Sequence, residues 1–261
     1  MGNDKHDLEY YKKCVLGGIL ACGFTHTGIV TMDLIKCKKQ INPSIYKSMA
    51  DGVRTIRAQE GLRGLTVGWQ PTFIGYSLQG AGKYGFYEVF KDIYAKIAGD
   101  KASEYRVLGY ALSSACAEFI ADLLLCPWEA IKIRMQTSAP GTFPTALTPA
   151  FRQIMQNEGA QGFYKGLYPL WARQIPYTIV KFVFFEKTVE FFYRNVFNKK
   201  PKEQYAKATQ LSITFASGYI AGILCAIVSH PADTMVSKLN NMKTEGSAME
   251  NVQKIYGDIG F

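Results

Sequence analysis

The chain has 261 residues, with 30 Lys and Arg against 21 Asp and Glu and a formal charge of +9. Aromatic residues make up 13% and charged residues only 20%, which excludes a disordered or collagen-like chain. Its six cysteines form no Cys-x-x-Cys pair, which argues against a zinc ribbon or a disulfide framework.

Residues 1–13 are polar and lack the basic-then-apolar layout of a secretory signal. From Cys14 to Met32, 19 residues pass without Asp, Glu, Lys or Arg, close to the roughly 20 residues a bilayer-crossing helix needs. A short amphipathic helix is predicted over Lys47–Gln59, then a second apolar run over Thr66–Gly82. Two further runs, Val107–Trp128 and Gly166–Phe185, carry Glu118 and Asp122 in one and Arg173 and Lys181 in the other. Pro149–Asn157, between them, reads as another amphipathic helix. Ala208–Ala232 gives a fifth apolar run of 25 residues, and Ser247–Tyr256 a third amphipathic helix. Helices of soluble proteins average about 11–12 residues, so five runs of this length predict an all-α membrane protein. Pro127 and Pro231 are expected to kink their helices. Gly18, Ser114 and Gly218, with Gly18/Cys22 and Gly218/Gly222 four apart, suit close helix packing in lipid.

The chain repeats itself. Asp33, Lys36 and Lys38 recur as Glu129, Lys132 and Arg134, 96 residues on, while Glu60-Gly61, Gly68 and Pro71 recur as Glu158-Gly159, Gly166 and Pro169, 98 residues on. Lys83, Phe86 and Glu88 map to Lys181, Phe184 and Glu186. A third copy opens with Pro231, Asp233 and Lys238. The copies divide the chain into residues 10–100, 101–200 and 205–261, each a pair of spanning helices joined by an amphipathic one. The third is expected to lack its second spanning helix, as if truncated at Phe261.

Charged and polar residues inside the apolar runs fall on single stripes. His26 and Asp33 are seven apart, as are Asp122 and Glu129, with Glu118 one turn before Asp122. Gln79 and Lys83 are four apart, as are Tyr177 and Lys181, and Gln174 stands seven before Lys181. Such stripes suit helices ringing an aqueous cavity, and they equally suit hydrogen bonds that hold a bundle together. Gly82-Lys83 is not a phosphate-binding P-loop, since Ser77 stands where its first glycine belongs and Tyr84 follows the lysine. His6, His26 and His230 lack metal-ligand spacing, and no Gly-x-Ser-x-Gly elbow occurs, so neither a metal site nor an enzyme is expected. The +9 charge flanks apolar runs, which points to anionic lipid and an anionic solute rather than nucleic acid.

The pattern Pro-x-acidic-x-x-basic-x-basic, then acidic-Gly-x4-aromatic-basic-Gly, repeated three times, resembles the mitochondrial carrier family. Copy two fits it fully with Pro127, Glu129, Lys132, Arg134, Glu158, Gly159, Tyr164, Lys165 and Gly166. Copy one departs with Thr31 for proline and Thr66-Val67-Gly68 for the last triplet, and copy three with Val236 at a basic position. The strings Thr25-His-Thr27, Gly75–Lys83, Arg173–Tyr177 and Ser229–Asp233 are similar to those of phosphate-transporting members. The resemblance implies three two-helix repeats in the mitochondrial inner membrane and alternating-access transport of inorganic phosphate with a proton, without a cofactor. It implies a substrate site of Gln79, Lys83, Arg173, Gln174 and Lys181, and proton coupling by His26, Glu118 and Asp122. It further implies a matrix gate of Asp33, Lys36, Glu129, Lys132, Asp233 and Lys238. The opposite gate would use Glu88 and Lys91 with Glu186, whose own basic partner is replaced by Val189 and which should therefore be weaker. Cardiolipin is the expected lipid. The alternatives are another small anion, a metal ion such as copper, or a non-transporting membrane scaffold.

Overall fold

A computed structural model describes residues 7–41, 44–102, 104–138, 141–197 and 204–241, with side chains at 40, 41, 100 and 228–241 left aside. Among the described residues there are eight α-helices and no strand: α1 (Leu8–Gly28), α2 (Val30–Ile41), α3 (Met49–Gly64), α4 (Trp69–Ala98), α5 (Arg106–Thr137), α6 (Leu147–Glu158), α7 (Leu167–Phe191) and α8 (Lys207–Asn241). The chain divides into two compact units, Met1–Val89 with Ala117–Leu170 and Phe90–Cys116 with Trp171–Phe261, and the divisions fall within α4, α5 and α7. Helix α5 and the Lys207–Ile227 part of α8 are long and apolar enough to cross a membrane, as is the bent pair α1–α2. Helices α4 and α7, with 30 and 25 residues, cover the two remaining apolar runs but are less apolar than these. The third amphipathic helix expected at Ser247–Tyr256 lies outside the described residues.

In the first unit, α1 starts where the Asp7 carboxylate accepts a hydrogen bond from the Tyr10 amide at 2.9 Å. The continuous helix expected to Met32 instead ends at Gly28, and α2 leaves at 54°. This bend falls in the copy without a proline. Ile29 leaves the helical conformation, and the Thr31 hydroxyl donates to the Leu65 carbonyl at 3.0 Å, tying the start of α2 to the end of α3. The equivalent Pro127 lies inside α5, which runs on to Thr137, and residue 231 lies inside α8, which runs on to Asn241.

The repeat persists in backbone and side chains. Gly61 (φ 71°, ψ −166°) and Gly159 (φ 65°, ψ −163°) hold the same left-handed conformation after equivalent glutamates, a region closed to other residues. Three residues later, a Cβ on Gly64 would press on Glu60 and Ile56, and one on Gly162 would press on Glu158 and Ile154. Lys38 Nζ then meets Glu60 at 2.6 Å, and Arg134 grips Glu158 with two hydrogen bonds, one of 2.8 Å. Matching cores lie beneath: Leu34, Ile35, Tyr46 and Ile56 in copy one, and Ile131, Met135, Ala150, Ile154 and Phe163 in copy two.

Helices α1 and α4 cross backbone to backbone. A Cβ on Gly18 would strike the Gly80 carbonyl, one on Gly80 would strike the Gly18 carbonyl, and Gly85 would meet Val15 at 2.7 Å. In the second unit, the Cys225 thiol of α8 donates to the Tyr177 carbonyl of α7 at 3.5 Å, and Tyr205 donates to the Phe197 carbonyl at 3.0 Å.

Two predictions follow from this packing. Gly18→Val should lower the unfolding temperature by about 5 °C or more, as overpacking at a backbone crossing does. Gly17→Ala, whose new methyl meets nothing within 4 Å, should shift it by no more than about 2 °C. At the surface, hydrogen bonds from Arg134 and then Lys165 hold the Glu158 carboxyl down to about 2. A depressed carboxyl stabilises the fold above its unfolded pKa and loses that contribution as pH falls toward its folded one. Thermal unfolding should therefore show the same gap between wild type and Glu158→Gln from about pH 8 to about pH 5.5, closing only below about pH 4.

Candidate functional site

Small residues bring α4 and α5 together. A Cβ on Gly82 would lie 3.2 Å from the Ala121 Cα, and one on Gly75 would lie 2.7 Å from the Trp128 Cβ. Across this seam Gln79 and Lys83, one turn apart on α4, face Glu118 and Asp122, one turn apart on α5. Lys83 Nζ is 2.8 Å from Glu118 Oε2, and Gln79 Nε2 donates to Glu118 Oε1 at 3.0 Å and to Asp122 Oδ1 at 3.2 Å. Glu118 and Asp122 are 0% exposed, and Asp122 Oδ2 has no hydrogen-bond donor among the described residues. Two residues expected to bind substrate and two expected to carry a proton thus form one cluster. The sequence placed each on its own stripe; it did not place them on each other.

A second cluster surrounds Lys132, whose side chain is 3% exposed although lysine is almost never buried unless paired. Its ammonium pairs with Asp33 of α2, lies 3.7 Å from Glu129 one turn back on α5, and sits 5.3 Å from the centroid of the Tyr76 ring. His26 stacks on that same ring, with centroids 3.9 Å apart and planes 9° apart, and its Nδ1 lies 2.9 Å from the Cys22 carbonyl oxygen. Because α1 ends at Gly28, His26 and Asp33 belong to two helices at 54°, not to one continuous stripe. Tyr76, which links the two, was missed by sequence reasoning: on a stripe diagram it is one more tyrosine. Gln136, buried and donating to the Val67 carbonyl at 3.2 Å, was missed as well.

Lys36 is exposed at the surface of α2. The side chains of Asp233 and Lys238 lie outside the described residues. Toward the other end of the first unit, the Tyr10 hydroxyl donates to Glu88 at 3.0 Å.

In the second unit, Arg173 and Lys181 of α7 are exposed and Gln174 is half-buried. Lys181 Nζ lies 5.8 Å from the centroid of the Tyr177 ring, the pair marked by their i, i+4 spacing. Lys91 lies over the Tyr110 ring at 5.6 Å. Arg106, in the first turn of α5, donates from Nε to the Tyr110 hydroxyl, stands 3.8 Å from Glu190 and is within electrostatic reach of Glu186. The cation absent from the Glu186 motif is therefore present nearby, supplied by another helix. A motif read along one helix has no way to find it.

The sequence model of the family described as "Mitochondrial carrier protein" matches residues 7–98 and 103–196. A Schizosaccharomyces pombe protein named "Probable mitochondrial phosphate carrier protein" is 54% identical over 255 residues, covering 97% of this chain and 81% of that one. A Caenorhabditis elegans protein named "Phosphate carrier protein, mitochondrial" is 57% identical over 89% of this chain and 68% of its own. Bos taurus "Solute carrier family 25 member 3" is 50% identical over 95% of this chain and 68% of its own. With a helical repeat that fits and family matches across most of its length, this chain belongs to the mitochondrial carrier family and is a multi-pass protein of the mitochondrial inner membrane.

Proposed function

We propose that this chain carries inorganic phosphate, together with a proton, across the mitochondrial inner membrane by alternating access. The observation that carries this reading is the buried cluster of Gln79, Lys83, Glu118 and Asp122 on apolar helices, in a chain whose relatives are named phosphate carriers. Ionisable groups at that depth are expensive and mark solute or proton pathways.

The roles divide by chemistry. Arg173 offers a planar fork suited to two phosphate oxygens at once, with Gln174 as a neutral partner. Lys83 and Lys181 add point charge, and Gln79 contributes an amide. Glu118, Asp122 and His26 take up and release the proton, so that dihydrogen phosphate and H⁺ move as an electroneutral pair. The repeats over residues 10–100, 101–200 and 205–261 supply one acidic-basic set each to the matrix gate. Asp33, Lys36, Glu129, Lys132, Asp233 and Lys238 form that gate, with Lys132 paired to Asp33 and 3.7 Å from Glu129. Glu88, Lys91 and Glu186 close the opposite side. Basic residues beside the spans hold anionic lipid, cardiolipin in this membrane.

Reconstitution of the 261-residue chain in liposomes tests the reading. Phosphate uptake should follow an imposed pH gradient, acidic outside. Uptake of another anion or of a metal ion in its place would assign a different cargo to the same fold, and uptake of none would make the chain a scaffold.

Within that assay, Arg173→Lys should lower phosphate kcat/KM by about tenfold or more, because the charge stays but the fork is lost. Normal kinetics would remove Arg173 from the site. At the gate, Asp33→Lys and Lys132→Asp should each reduce transport by about tenfold or more, since each leaves a charge without its partner. The double swap should recover part of the loss; a swap no better than its single parents, in protein that inserts and folds, counts against the pairing.

A further inference from the structure

Lys83 is asked to do two things that exclude each other in time. As a phosphate ligand its ammonium must face the anion, yet it stands 2.8 Å from Glu118 Oε2. Glu118 is 0% exposed, and its other oxygen accepts from Gln79 at 3.0 Å. The groups that face it are Gln79, Lys83 and Tyr84 from α4 and Asp122 from its own helix, with Cys22 of α1 behind Tyr84 and Cys126 beyond Asp122. Lys83 is the cation of this set. A buried carboxylate that loses its counter-ion is driven to its neutral form.

We infer that phosphate and Glu118 compete for Lys83, and that this exchange is what couples the proton to the anion. Dihydrogen phosphate takes the ammonium, and the released Glu118 carboxylate binds one proton from the water on the side the substrate came from. On the far side phosphate departs, Lys83 returns to Glu118, and the proton leaves to that water. The only bond made and broken is one carboxyl O–H. The cluster's net charge is the same with phosphate bound and protonated as when empty, because one negative and one positive charge arrive together. Occupied and empty states therefore bury equal charge, which sets one proton per phosphate. Gln79, bonded to both carboxylates, keeps Glu118 in place while Lys83 is away.

This inference rests on the phosphate-proton reading above, and its test separates the two. Phosphate/phosphate exchange is measured in proteoliposomes at about pH 6 and about pH 8, with KM expressed per dihydrogen phosphate. In the wild type KM should be about threefold or more lower at the acidic pH, because protonation of Glu118 frees Lys83. Glu118→Gln should exchange phosphate with a KM about tenfold below wild type at the alkaline pH and equal at both. A pH gradient should no longer drive net uptake in this variant. Wild-type KM that does not move with pH, or a Glu118→Gln KM at or above the wild-type value, overturns the competition. Should the variant not fold, the wild-type series decides alone. A wild type that exchanges no phosphate removes the underlying function, and with it the inference.

Discussion

An ammonium buried in an apolar bundle has to find negative charge on a neighbouring helix, because each isolated ion would be penalised by several kcal/mol. Lys132 is that ammonium in the first unit. Its Asp33 partner lies on α2 and its aromatic neighbour Tyr76 on α4, so one cation ties three helices together. The bend between α1 and α2 is what turns Asp33 toward α5, and the Thr31 bond to Leu65 holds that bend. His26 stacks on the ring that Lys132 approaches. A charge change at His26 therefore reaches Lys132 through a single side chain, Tyr76.

The same rule governs the α4–α5 seam, where glycines take the place of the bend. Without side chains at Gly75 and Gly82, the helices approach until Gln79 and Lys83 reach across to Glu118 and Asp122. The two clusters differ in how water reaches them. Both carboxylates at the seam are 0% exposed, whereas the Asp33 side chain is 35% exposed. When that pair opens, Asp33 can turn to water while Lys132, 3% exposed, keeps Glu129 at 3.7 Å. A wholly buried carboxylate opens only if another charge or a proton replaces the one it loses. On the proposed reading, gate and coupling site are built from the same residue types, and burial separates their tasks.

What the sequence made legible were properties that travel along one helix. Apolar run length, the offset between copies and the i, i+4 stripes located the helices, the repeat, and residues such as Glu118, Asp122, Lys132 and Asp33. Properties set between helices were not legible. Lys83 and Glu118 were read as parts of two machines, because their contact depends on how far Gly82 lets α4 rotate and approach. No signal in the sequence marks the break at Ile29, beside which the Thr31 hydroxyl bonds across 34 residues of sequence. Glu186 lacked its basic neighbour along α7, while Arg106 comes from the start of another helix. Tyr76 and Gln136 carry no charge and break no pattern, so only their surroundings distinguish them.

On the proposed reading, the two cations best suited to phosphate are also suited to different moments. Arg173 is exposed and stays protonated at any physiological pH, and its fork matches two oxygens of the anion. Nothing in its chemistry favours giving the anion up in response to a proton. Lys83 is a point charge with no fixed orientation, at most 14% exposed, and already committed to a carboxylate. Its bond to phosphate is always a bond taken from Glu118, and the strength of that bond depends on whether Glu118 holds a proton. Recognition by an arginine and release by a shared lysine are separate demands, and no single residue type meets both. A lysine at position 173 would bind without the fork; an arginine at position 83 would hold Glu118 and phosphate together through its several donors, and the competition that links anion to proton would weaken.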